Sequence, residues 1–435
     1  MTENETFIRC DHSTLVIRNK KLEEVKAFIA TNCNLAPQGS EEWLRVRQSI
    51  IGGSELSILL GKNPFSKVED LVASKCCLTR YAGNVATKWG NIFEELTRMV
   101  VQMLFLPDIP LSEECIYETG SLEGKIPHHR FSPDGLTVIV YKNPDGTKKP
   151  MIVLLEFKSP LSSIPSGVIP PYYLPQVLGG MCDIDMVETG LFVNATFRKC
   201  SLAQFGNNSR YNTSFHISDI KKKVVMRDPL AIGILGFYQT PEQQTKLQNR
   251  LKYESDVYVM EDYSSDEDTR EDVNIETIIY KLFNGYKKVN EIGILDIGEL
   301  NDADTLTVFE YVASKYISIK YFPPNIYMNR VSPNLPNDMV HRSSDFISYK
   351  KYESDPKKFI KKFKEGCIQK NYIPVGFLPW KMMLADFLTV EKDDLYIYKF
   401  PPLIEPVIKI VEDICQTNDM NERLQRFNQY YPPRH

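Results

Sequence analysis

Apolar positions along this chain switch between a helical and a strand-like period, and the switches mark out its elements. Over residues 88–104 they recur at helical spacing, with Trp89, Ile92, Phe93, Leu96, Met99 and Val100 on one stripe. A second such stripe, Leu403, Val407, Ile410 and Ile414, predicts a helix over 403–415, with Pro406 acceptable only in its first turn. Residues 173–182 look helical on the same condition for Pro175. Two β-prone runs, 136–141 and 151–157, are joined through Asn143-Pro144-Asp145-Gly146, a strong turn signal. Residues 151–155 are apolar on both faces, as in a buried central strand. Residues 186–197 read as another strand, and 387–390 are strand-like. Gly39-Ser40-Glu41-Glu42 opens an earlier helix, with Ser40 placed to satisfy free amides and two acids at the positive end of the dipole. Gly52-Gly53 then breaks the pattern, and Ser54 is placed to cap a second helix through Leu60. Helix, strand, strand, helix, strand predicts a mixed α/β core.

A length of 435 residues exceeds one compact unit of about 100–200, so more than one lobe is expected. Hydrophobic residues at 43% and aromatics at 11% suit a packed core rather than a disordered chain. Lys and Arg number 52 against 56 Asp and Glu, so no strongly basic overall field is present. The texture changes beyond residue 205. Residues 254–272 carry nine acids against Arg270 alone, the composition of a solvated linker. Residues 350–370 carry eight lysines against three acids, and Phe359, Ile360 and Phe363 define an amphipathic helix begun by Asp355-Pro356. Its lysine face suits either solvent or a nucleic acid. The nine cysteines are scattered without a CxxC pair, which indicates reduced thiols rather than a disulfide framework or a zinc site. No apolar signal core and no run of about 18 apolar residues is present, which predicts a soluble intracellular protein without a membrane segment.

The candidate chemistry lies in Ser132-Pro133-Asp134-Gly135 and Leu155-Glu156-Phe157-Lys158. Folding the hairpin about Gly146 sets Asp134 opposite Lys158 and Glu156 opposite Leu136. Glu156 and Lys158, two apart on a strand, project from one face. Charges at the end of a buried strand are costly unless paired or metal-bound. Asp and Glu oxygens hold Mg²⁺, which polarises a phosphate and lowers the pKa of a bound water. A lysine beside them can orient that water or stabilise developing negative charge. A D…ExK pattern alone also suits a structural Asp–Lys salt bridge beside a turn. Pro144-Asp145-Gly146 repeats the PDG triplet but stands at the hairpin tip, as a turn.

These residues resemble the PD-(D/E)xK nucleases, and more closely the lambda-exonuclease and YqaJ-type viral recombinase branch found in large DNA viruses. The resemblance covers about residues 39–197 and rests on five blocks in order. They are Gly39-Ser40-Glu41-Glu42-Trp43 through Arg47 to Ile51-Gly52-Gly53-Ser54; Trp89-Gly90-Asn91-Ile92-Phe93-Glu94; Ser132-Pro133-Asp134-Gly135-Leu136; Leu155-Glu156-Phe157-Lys158-Ser159-Pro160; and Tyr173-Leu174-Pro175-Gln176.

The resemblance implies an α/β restriction-endonuclease-like core, a central mixed sheet flanked by helices, carrying a large insertion. It implies Asp134 and Glu156 as ligands of Mg²⁺ (Mn²⁺ has the same oxygen preference), with Lys158 as the catalytic lysine. Glu94 would complete the metal or water network, Gln176 would position Lys158 or the water, and Arg47 and Ser54 would grip a terminal 5′-phosphate. Trp43 and Trp89 are expected in the core. The clustered cysteines of iron–sulfur nucleases are missing. The implied organisation is a 1–35 extension, a core over 36–205 and 371–420, an insertion over 206–370 containing an acidic linker at 254–273, and a 421–435 tail. The implied activity is 5′-to-3′ shortening of linear double-stranded DNA in viral recombination, repair or end processing, in the host cytoplasm or nucleus. An endonuclease, a nuclease also accepting RNA, and a non-catalytic DNA-binding scaffold are the alternatives. The insertion would suit docking of a single-strand annealing protein.

Overall fold

The hairpin carrying the candidate chemistry sets the frame of the molecule. In the computed structural model, which describes residues 10–32, 46, 48–79, 85–205, 228–247, 249, 291–348 and 355–432, β4 (Gly135–Lys142) and β5 (Lys148–Lys158) pair antiparallel. Their loop turns about Asp145 rather than Gly146. Asn143 N–H donates to Thr147 O at 2.8 Å, and Gly146 adopts φ of +83°. A three-residue loop ending on a glycine in the left-handed region closes a hairpin in this way. The register therefore differs from the expected one: Leu136 faces Leu154, not Glu156. One step further along the same register, Asp134 comes level with Glu156 rather than with Lys158. The correction brings the two carboxylates together.

β5 runs parallel to β6 (Thr189–Lys199), which pairs antiparallel with the last half of β12 (Ile373–Glu391). The first half of that 19-residue strand pairs with β7 (Ala231–Gln239). The sheet continues through β10 (Asn325–Tyr327) to β11 (Phe346–Ser348), while β8 (Leu295–Asp296) joins β12 and β9 (Ser318–Tyr321) joins β7. These nine strands form one mixed sheet. A smaller sheet joins β1 (Ile51–Gly52) parallel to β3 (His129–Phe131), with β2 (Leu122–Glu123) antiparallel on the other side of β3.

Helices cover both faces of the large sheet. Pleating sends Leu155 and Phe157 to the side of α4 (Val85–Phe105), where Trp89, Phe93 and Leu96 bury their stripe. Trp89 is buried as expected, packed on Phe93 and on Phe309 of α6 (Asp302–Ala313). Leu154 and Phe192 point the other way, toward Val177 and Met181 of α5 (Leu174–Asp183) and Ile404 of α8 (Pro401–Ile414). Pro175 and Pro402 lie in first turns, where the missing N–H is no loss. Pro406 is inside α8 rather than in its first turn, because the helix starts at Pro401, ahead of the expected 403. On α7 (Pro356–Gln369), Ile360 is buried and Phe363 covers Gly236 of β7, where an added Cβ would stand 2.6 Å from the ring. The Asp355 side chain accepts from Lys358 N, as the Asp-Pro start implied. The 1–35 segment contains α1 (His12–Asn32), which apolar periodicity does not announce. It is held by buried Leu22 and Val25, and by the ion pairs Arg18–Asp108 at 2.6 Å and Lys21–Glu188 at 2.5 Å.

The expected helix opening at Gly39 and the acidic stretch 254–272 lie outside the described residues. Among the described residues no helix is long and apolar enough to cross a membrane.

Candidate active site

The site forms where β5 ends. Glu156 is fully buried, and Lys158, its neighbour on the same face, places Nζ 2.5 Å from Glu156 Oε1. Beyond that ion pair, neither Glu156 carboxylate oxygen has a hydrogen-bond partner among the described residues. The Asp134 Oδ2 accepts from Phe157 N at 2.6 Å, so the backbone of β5 fixes one carboxylate beside the other. Glu94 comes from α4, and Thr97, three residues further along that helix, bonds Ser159 side chain to side chain at 3.0 Å. That bond ties the helix bearing Glu94 to the chain just beyond Lys158.

The electrostatics follow from crowding acids where water is scarce. Burial, and then the charge of Asp134, push Glu156 up to about 8 and Glu94 up to about 7. Burial also raises Asp134, against the lowering pull of Lys158 and the Phe157 N–H. Burial lowers the Lys158 ammonium, but Glu156 and Asp134 outweigh it and hold the ammonium above its ordinary value. Lys158 is therefore held as a cation, while burial and mutual repulsion favour the protonated forms of Glu156 and Glu94 in the metal-free site. Glu118, which no motif had singled out, adds its charge to both Glu94 and Asp134 from the lining of an adjacent cavity of about 310 Å³.

The donor set suits a hard divalent cation. Its acids offer carboxylate oxygens, and those of Glu156 are buried with Lys158 as their one partner among the described residues, in a site where negative charge is under-compensated. Among the described residues no three acidic, His or Cys side chains converge to ligand distance. Lys158 is the positive group in contact with Glu156.

Two neighbours of Lys158 had no role assigned from the sequence, Tyr173 inside the Tyr173–Gln176 block and Asn194 outside every block. Tyr173 lies under the Lys158 ammonium, with the ring centroid 5.2 Å from Nζ. Asn194 pairs with Lys158 across the parallel β5–β6 ladder, and its buried Oδ1 has no partner among the described residues. A lone amide in the apolar run of β6 was the signal available for it.

Gln176 is buried in the first turn of α5, and its Cγ borders Gly53, where an added Cβ would lie 3.4 Å away. Ser54 thus belongs to a turn packed on the helix that carries Gln176. Ser54 does not cap a helix as expected. It is exposed within a 3-10 turn (Gly53–Glu55) leading into α2 (Leu56–Leu59), and the Glu55 carboxylate takes the capping role by accepting from Gly52 N at 2.7 Å. The longer Glu55 side chain can reach back over the turn and also meet buried Lys75 of α3 (Val68–Lys75) at 2.8 Å. Behind this turn, Ile51 pairs with His129, whose Nδ1 contacts Asp183 of α5 in a fully buried pair. Arg47 and Trp43 lie outside the described residues.

Three comparisons bear on this arrangement. Residues 42–183 match the model of the YqaJ-like viral recombinase domain. Protein D345L of African swine fever virus (strain Badajoz 1971 Vero-adapted) is 30% identical over 234 residues, covering 50% of this chain and 65% of the relative. Its counterpart from the isolate Tick/Malawi/Lil 20-1/1983 is 30% identical over 237 residues, with the same coverage of 50% and 65%. The chain thus spans less than two thirds of the length of the curated relatives it matches. The solved structure of LHK-Exo in complex with dAMP is 19% identical, covers 36% of this chain and 73% of that chain, and superposes with a TM-score of 0.26, too low to carry an argument. The matched segment contains Asp134, Glu156, Lys158, Glu94 and Gln176, and with them the buried acid–lysine centre: over residues 42–183 this chain is similar to the YqaJ-like viral recombinase domain.

Proposed function

We propose that the protein is a divalent-metal-dependent deoxyribonuclease that shortens linear duplex DNA from its 5′ ends, in viral recombination, repair or end processing. The observation that carries this reading is the Glu156 carboxylate, buried at a strand end beside Asp134, with Oε1 paired to Lys158 and no other hydrogen-bond partner among the described residues. A buried acid so placed is costly to the fold and suits a centre that takes up positive charge. Asp134 and Glu156, with Glu94, would hold Mg²⁺ or Mn²⁺, which when bound polarises the scissile phosphate and acidifies a water. Lys158, kept protonated by its neighbours, stabilises charge developing on the phosphate oxygens. Gln176 and Tyr173 hold Lys158 and the first turn of α5 in place. Arg47 and Ser54 would take the terminal 5′-phosphate. The pairing of β12 with β6 supports reading 371–420 as the closing part of a core begun in 36–205, with 206–370 inserted between.

The test is digestion of linear duplex DNA with Mg²⁺, its 5′ ends phosphorylated or hydroxyl, with Glu156→Ala beside the wild type. Phosphate-dependent shortening from the 5′ ends that is lost in the variant is the expected result. Cleavage indifferent to the end group would remove the Arg47–Ser54 pocket and favour an endonuclease. Cleavage that survives Glu156→Ala would remove the proposed centre.

A further inference from the structure

Aromatic rings lead from Lys158 to the surface. Its ammonium lies over Tyr173, the Tyr173 ring meets Tyr172 at 4.4 Å between centroids, and Tyr172 meets Phe65 edge-on at 5.6 Å and 84°. Phe65 ends the series 81% exposed. A phenyl group in water normally finds cover, and this one is held in place rather than left at a loose tip. The Asn63 Oδ1 accepts from Phe65 N at 2.9 Å and from Ser66 N at 3.2 Å, forming a tight local turn. Asn63 is in turn locked to α2, its Nδ2 donating to Ser57 Oγ and its N to Ser57 O, both at 3.1 Å. Exposed Lys62 and Lys67 stand on either side of the ring in sequence, and the Asp70 carboxylate is occupied in capping α3 through Lys67 N.

A fixed exposed ring, flanked by cations and continuous with the catalytic lysine through edge-on and tilted ring contacts, suits a single-stranded nucleic acid: a π-face for a base and positive charge for its backbone. We propose that Phe65 is the stacking platform for a nucleobase of the DNA strand entering the site, a few nucleotides from the phosphate cleaved beside Lys158. This rests on the nuclease reading above. Duplex DNA offers no free base face in its interior, so a base on Phe65 is one unpaired at the end, and Phe65 favours the opened end over the closed one. Tyr172 braces the ring from the side, and Tyr173 links that brace to the position of Lys158.

The experiment uses the full chain with Ca²⁺ in place of Mg²⁺ and 5′-phosphorylated duplexes carrying 5-iodouracil at single positions from the 5′ end inward. Irradiation crosslinks the iodinated base to the aromatic side chain it stacks on, and the peptide is identified by mass spectrometry. A crosslink to Phe65 from one of the first few positions is expected. With Mg²⁺, Phe65→Ala should lower kcat/KM on duplex ends by roughly tenfold, the scale of one lost base–aromatic stack, and Phe65→Trp should restore it. Wild-type cleavage with no crosslink at residue 65 and unchanged kinetics in Phe65→Ala would overturn the platform and keep the nuclease. A change in sedimentation mass in Phe65→Ala, with kinetics intact, would make the ring an interface between copies and equally overturn it. A wild-type protein that neither binds nor cuts DNA would overturn both readings.

Discussion

Lys158 Nζ stands 2.5 Å from Glu156 Oε1 at the end of a buried strand, and Asp134 is held beside that pair by the Phe157 N–H. The pair is a charged centre inside the fold, and its two members have opposite consequences. Removing the lysine leaves an uncompensated buried acid. Removing the acid's charge relieves desolvation and repulsion together.

Glu156→Gln should therefore separate stability from function. The amide keeps the shape, removes the charge that burial and Asp134 oppose, and should raise the metal-free melting temperature at pH 8 by roughly a few degrees. Cleavage should fall at least about 100-fold in the same variant, the scale of losing one charged element of a preorganised site. Calorimetry beside a digestion assay reads both, and a less stable but active variant would contradict the assignment.

The pH dependence has a definite sign. Glu156 and Glu94 are raised from 4.5 to about 8 and about 7, so from pH 4.5 upward the folded metal-free protein retains protons that the unfolded chain has lost. Their contribution to stability is fully present below the unfolded value and is lost as pH rises through 7 to 8. Metal-free melting temperature should fall between pH 6 and 8.5 on this account, and added Mn²⁺ should raise it more at pH 8.5 than at pH 6, because protons and the cation compete for the same oxygens. A thermal-shift grid of pH against Mn²⁺ checks this; equal stabilisation at both pH values would count against these acids as ligands.

Asp183→Ala should destabilise the protein by about 2–4 kcal/mol, since it strands the buried His129 and the Ile126 N–H that bonds Asp183 at 3.0 Å. Because His129 pairs with Ile51, the loss should extend to the turn bearing Ser54, weakening any preference for a 5′-phosphate before DNA binding is lost. Denaturant unfolding and the two end-labelled substrates test the two parts.

Gly53→Ala should be worse than an ordinary surface substitution. An added Cβ would stand 2.4 Å from Phe131 Cδ2 in a buried contact, so turn or ring must move. A melting temperature lowered by several degrees and partly recovered by a second change, Phe131→Leu, is the expected outcome. No change in the single variant would show the turn to be looser than its packing implies.

Much of the local structure was legible because periodicity and turn chemistry act over a few residues. The stripe from Trp89 to Val100, the Asn143–Gly146 turn, the proline in the first turn of α5 and the spacing of Glu156 and Lys158 on one strand face are all local consequences of side-chain identity. The order of five motif blocks likewise pointed to the YqaJ-like family. What local pattern cannot report is the pairing of distant surfaces. The hairpin register depended on which residue took the left-handed position, and this decided that Asp134 comes level with Glu156 rather than with Lys158 along the ladder. The helix His12–Asn32 lacks an apolar stripe and is held by ion pairs and two buried side chains contributed by tertiary packing. The Glu55 cap displaced the one expected of Ser54, because Lys75 from another helix was there to share its carboxylate. Asn194 and Phe65 lie outside every motif block, and Tyr173, which opens the fifth, was given no role there. Their relation to Lys158 exists only once strand, helix and loop are packed, because proximity across the fold is set by burial and register and not by separation along the chain.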